Sequence, residues 1–148
     1  CHFWRGCRTV IITFGTAFCF RHLPSGIVAA NCLKRDSREF ERFRLEVEDI
    51  VSLWRPLIAS AADRRFIFTV SPIRHLADGA HANQVSKATL LLAVERLVCE
   101  FPENCFYFPS YEILLDELRD FSWYAQDTVH PSSEAQGVIL KRFADTWL

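Results

Sequence analysis

The residues best suited to chemistry lie near the carboxyl end of the chain. In "DTVHPSSEAQ", residues 127–136, Asp127 and His130 stand three apart, a proline follows, and an apolar helical pattern begins. Histidine serves as a general base when one ring nitrogen is neutral and faces a hydroxyl while an acceptor holds the other. An aspartate three residues earlier in a turn can supply that acceptor, which makes the pair two thirds of a hydrolytic triad. The same spacing also suits a plain Asx-type turn that happens to carry a histidine.

A nucleophile is harder to find. Ser71 closes the apolar run "RFIFTVSP" and holds the best position, but it precedes Pro72 and has no Gly-x-Ser-x-Gly elbow around it. Ser86 and Ser110 read as helix caps, and Ser132 and Ser133 are too close to His130 to partner it. Arg74 and His75 follow the same run; Arg74 could bind a substrate carboxylate or phosphate, or anchor a loop through a salt bridge. Gly15 and Thr16 could turn backbone N–H groups into a cleft as an oxyanion hole, or Gly15 could simply serve a turn. His75, His81, Asp78, Asp127 and His130 could together hold a metal, but their spacing matches no standard ligand pattern, and no metal is assigned.

These residues need a scaffold. "TVIITFGTAFCF", residues 9–20, reads as a buried strand breaking at Gly15. Residues 21–35 suggest a hairpin excursion. A capping-box match from Asp36 to Glu39 then opens a predicted helix, with Phe40, Phe43, Val47, Ile50, Trp54 and Leu57 on one face and Pro56 kinking or ending it. Residues 65–72 form a second strand and "IRHLADGAHANQV" a polar loop. Ser86 caps a largely buried helix, and "CFYF", residues 105–108, is a third strand. Helices are predicted from Ser110 and from Ser133. Strands alternating with helices imply a parallel sheet with helices on both faces, and such sheets place their sites at the carboxyl ends of the strands.

The 148 residues are half hydrophobic, which suits one domain over 1–148. Seventeen basic and 18 acidic residues leave a net charge of −1, so no global field favours nucleic acid or an anionic membrane. The longest apolar runs are too short for a membrane span. Six cysteines without a CxxC pair, with Cys19 and Cys99 in apolar segments as buried thiols, read as reduced thiols of a cytoplasmic protein. The chain contains no methionine, which suggests a trimmed chain or a fragment.

Taken in order, "IITFGTAF", "FTVSPIRHLADGAHANQVSKATLLLAVERL" and "YFPSYEILLDELRDFSWYAQDTVHPS" resemble the GSCFA family. That family is similar to the SGNH (GDSL-type) hydrolases, so the resemblance implies a three-layer α/β/α fold with a parallel sheet and hydrolysis or transfer of acyl esters, carbohydrate or lipid, with no cofactor. It implies His130 as base and Asp127 as its orienting acceptor. The family's Gly-Ser-Cys-Phe-Ala motif does not occur here, so the resemblance places the nucleophile upstream of residue 1, in an N-terminally truncated domain. "TFGTA" matches the strand-end block that usually reads Gly-x-Asn-Asp, with Gly15 at its Gly and Ala17 where the Asn donor is expected; Asn31 and Asn83 are the possible substitutes. A non-catalytic remnant or interaction domain of the same fold, or a metal-dependent hydrolase, are the alternatives.

Overall fold

The computed structural model describes residue 4, residues 6–29, residue 32 and residues 35–148. Its central sheet is parallel, in the order β1 (Thr9–Phe14), β5 (Arg65–Val70), β6 (Cys105–Tyr107). β1 runs in register with β5 from Thr9 opposite Arg65 to Phe14 opposite Val70. Five of the six residues of β5 are buried, as expected of a central strand covered on both faces.

The two faces have different coverings. Phe66, Phe68 and Val70 pack with Val10, Ile12 and Phe14 against α1 (Val47–Ala59) and α2 (Gly79–Glu100), through Ile50, Val51, Ile58, Leu90, Val94 and Leu97. Ile67 on the opposite face packs with Phe108 and Ile113, against Val138, Ile139, Phe143 and Trp147 of α4 (Ser133–Trp147). Between β6 and α4, the short α3 (Ser110–Glu112) continues as a π-helix, Ile113–Leu118.

The expected strand 9–20 does break at Gly15, but its two halves part company. β2 (Phe18–His22) belongs to a separate antiparallel sheet, ordered β3 (Val28–Ala29), β2, β4 (Phe40–Arg44). β1 is half-covered rather than buried: its residues alternate, and Ile11, on the same face as Ile67, is 55 % exposed beside the cleft it shares with α4. Its outer edge pairs with no strand among the described residues.

The helix expected from Asp36 is also corrected. Asp36 caps only a 3-10 turn, Ser37–Glu39, and residues 40–44 form β4. Cross-strand contacts outweigh the local helical signature: Arg42 sits 3.9 Å from the Phe18 ring centre, Arg21 sits 4.4 Å from that of Phe43, and Arg21 pairs with Glu41. The working capping box lies further on, where Glu46 N–H donates to Asp49 Oδ2 at 2.8 Å. Pro56 does not end the helix at its own position; α1 runs to Ala59. Pro56 and Ser52 are both exposed, so water can satisfy the Ser52 carbonyl that proline leaves without a donor.

The predicted hairpin over 21–35 is present as β2 and β3, where His22 N–H donates to Ile27 O. The described cysteines Cys7, Cys19, Cys32, Cys99 and Cys105 are free thiols; Cys99 is exposed, not buried. No helix among the described residues is long and apolar enough to cross a membrane.

Candidate active site

The Asp127–His130 turn is built by its own backbone. Asp127 Oδ1 accepts the N–H groups of Val129 at 2.8 Å and His130 at 3.0 Å, leaving Oδ2 for His130 Nδ1 at 2.6 Å. These bonds, the backbone ones first, hold the Asp127 carboxyl down at about 2. An ionised carboxylate only accepts, so Nδ1 carries the proton, and in the neutral imidazole the lone pair falls on Nε2. No described residue hydrogen-bonds that nitrogen. Ser132, one residue earlier than expected, caps α4 by accepting from Ala135 N–H.

Tertiary contacts carry the turn to the carboxyl end of the sheet. Arg74, just beyond β5, donates its N–H to Val129 O at 3.2 Å and its guanidinium to Thr128 O at 3.2 Å. His130 and Ser71 line one cleft of about 730 Å³. Its walls are mostly apolar, including Ile11, Phe108, Ile139, Leu140 and Phe143. "FGTA" and His130 therefore occupy the same end of the sheet.

What ties that rim together is Lys87, which the sequence reading passed over. Its side chain is 1 % exposed, and Nζ donates to Gly15 O and Ser71 O, each at 2.6 Å. The lysine thus staples the carboxyl end of β1 to that of β5. His75 Nε2 reaches the same Gly15 carbonyl at 3.2 Å. Ser86, one residue before, accepts from Ala17 N–H at 2.8 Å and hydrogen-bonds Thr16 Oγ1 at 3.1 Å. Ser86 is therefore not a cap: α2 begins at Gly79, within the expected loop, and Ser86 lies inside the helix. This stretch of α2 packs against strand-end backbone groups, so its buried face is polar and carries no apolar period.

Ser110 is not the cap residue either. Its Oγ donates to Val70 O at 2.8 Å and pairs with Thr69 Oγ1 at 2.5 Å, in the first turn after Pro109. Ser71 is 8 % exposed, and its Oγ accepts from Ile73 N–H at 3.3 Å. Gly15 has neither a positive φ nor a neighbour that would crowd a Cβ, so no steric demand explains the glycine. Ala17 is buried at the expected Asn position. Asn83 accepts from His75 N–H and lines a different pocket from His130, while Asn31 lies outside the described residues. His75, His81, Asp78, Asp127 and His130 form no metal-ligand cluster among the described residues; Asp78 instead pairs with Arg42.

Burial lowers the Lys87 ammonium to about 8. Below that pH both folded and unfolded chains are protonated, whereas between about 8 and the ordinary lysine range the unfolded chain binds more protons. Stability from this group therefore rises with pH. Cys105, pushed by burial up to about 11, acts in the opposite sense above about 9. From pH 8 to 9, urea unfolding should show a gain of about 1 kcal/mol in wild type relative to Lys87→Met. Parallel pH profiles for the two proteins would remove Lys87 as the source.

A parallel sheet flanked by helices, with an Asp–His couple at its carboxyl end, defines an α/β protein. A model of the GSCFA family matches residues 2–143, nearly the whole chain, and the protein belongs to that family. Comparison with curated proteins and with solved structures returned no match.

Proposed function

We propose that this chain carries the base half of an SGNH-type serine hydrolase site acting on acyl esters. The observation that carries the reading is the 2.6 Å His130 Nδ1 to Asp127 Oδ2 bond, which leaves Nε2 as an acceptor beside an apolar cleft. In this reading a serine hydroxyl attacks the ester carbonyl as Nε2 takes its proton. His130 returns that proton to the departing alkoxide. The same nitrogen then deprotonates the water that hydrolyses the acyl-enzyme. Asp127 fixes the tautomer and stabilises the imidazolium. These steps require no cofactor.

The serine is supplied from outside these 148 residues. Two observations support that part. Ser71 Oγ, the best-placed hydroxyl by sequence, is turned to Ile73 N–H and makes no bond to His130. The outer edge of β1 and the half-exposed Ile11 beside the cleft leave room for a further parallel strand, which would complete an SGNH-like sheet.

A fluorophosphonate probe tests the assignment. The 148-residue chain should show no stoichiometric serine adduct, whereas a protein extended to include a Gly-Ser-Cys-Phe-Ala segment should be labelled at that serine and hydrolyse short-chain acyl esters. Labelling of Ser71 in the 148-residue chain, lost in His130→Ala, would place the nucleophile within it and overturn the external serine.

A further inference from the structure

A second pocket, of about 250 Å³, meets the His130 cleft at Pro72, which lines both. Arg74 and Arg119 both line it. Most described arginines lie against a carboxylate; these two do not. The other polar groups are mainly donors without an acceptor among the described residues. Tyr111 O–H and His75 N–H occupy the carbonyl oxygens of Gln84 and Asn83, which leaves both amide NH₂ groups over. The Tyr124 hydroxyl bonds no described residue. Asp120 is the one carboxylate, and its Oδ1 is taken by Ser122 N–H at 2.7 Å. On the lining itself two guanidinium groups face one carboxylate, with the Glu112 and Asp116 carboxylates further out on the Tyr111 side.

Backbone strain converges on the same place. Arg119 and Thr128 are the non-glycine residues with positive φ among those described, at 49° and 57°. Arg119 ends the π-helix in this left-handed conformation and lines the pocket; Thr128 supplies the carbonyl that holds the Arg74 guanidinium. Each such residue is strained against an ordinary conformation, and strain of this kind collects where a ligand is held.

The geometry points to an oxyanion-binding subsite in which Arg74 and Arg119 clamp a carboxylate or phosphate group of a small ligand. The inference rests on the hydrolase reading only in taking this group to be part of the ester that His130 serves. The ester would then be one borne by an acidic molecule, such as a uronate or a phosphorylated alcohol.

Binding can be read without turnover, which keeps this inference separate from the reading of His130. Calorimetric titration at low ionic strength with inorganic phosphate, with glucuronate and with neutral glucose should give saturable one-to-one binding of at least one anion and none of glucose. The tighter anion identifies the group, and either one upholds the site. Arg119→Gly should weaken that binding about tenfold or more while raising the thermal midpoint by about 2 °C, because glycine relieves the positive φ. Loss of binding in a more stable protein cannot come from unfolding. Arg38→Gln, which removes an exposed arginine paired with Asp36, should leave the affinity unchanged. The subsite is overturned if neither anion saturates, if glucose binds as well as they do, or if Arg119→Gly binds like wild type. Equal weakening by Arg38→Gln would overturn it too, since binding would then follow net charge alone.

Discussion

His130→Ala should lower ester turnover by about 10³-fold or more in a protein that carries its nucleophile, because base and nucleophile act as one unit. The substitution removes, among the described residues, the imidazole that lines the cleft and is held by a carboxylate on its other nitrogen. It should cost little stability: the side chain is 55 % exposed, and its single described bond is to Asp127. Asp127→Asn should also reduce turnover by orders of magnitude, through a different route. An amide presents an N–H as readily as a carbonyl, so the imidazole is no longer held with its proton on Nδ1. The Asp127 carboxyl stays ionised down to about pH 2, so acid inactivation above that range does not report its protonation. Near-normal turnover in His130→Ala, measured with short-chain acyl esters, would sink the mechanism.

Lys87→Ala should destabilise the fold by about 3 kcal/mol, a large share of the total stability of a domain this size. Two effects oppose one another. Burying the ammonium costs about 3 kcal/mol at neutral pH, judged from its lowering to about 8. Against this, its loss takes a donor from the Gly15 and Ser71 carbonyls, at about 1–3 kcal/mol each. For the charge alone these nearly cancel, so Lys87→Met should stay within about 1 kcal/mol of wild type at pH 7. Alanine adds the cavity left by a four-carbon stem that is 1 % exposed, and that term decides the sign. The methionine variant has a further use. It keeps the fold but cuts the staple between β1 and β5, so a drop in turnover at unchanged stability would mark Lys87 as a positioning residue of the rim. Denaturant midpoints for both variants provide the check. An alanine variant as stable as wild type would show that the rim does not need the lysine.

The parts of the fold legible in sequence are those where side-chain pattern and backbone demand agree. β5, β6 and α4 were read close to their observed places because apolar runs there meet apolar partners. The misread parts are governed by contacts distant in sequence. Residues 36–44 carry a valid helical signature, yet Phe40–Arg44 pairs with a strand some twenty residues earlier, and those cross-strand bonds outweigh local propensity. The first half of α2 looks like a loop because polar groups fill its buried face.

The site divides along the same line. Sequence by itself determined the Asp127–His130 couple, because a short-range turn makes it: the aspartate caps the backbone of the residues that follow and meets the imidazole three positions on. Only the tertiary structure decided where that couple sits, that Ser71 shares its cleft, and that Lys87 and Ser86 hold the strand ends together. A buried lysine that serves two backbone carbonyls leaves no signal in composition or periodicity. Its partners, Gly15 and Ser71, lie 72 and 16 residues away and contribute main-chain oxygens that every residue possesses.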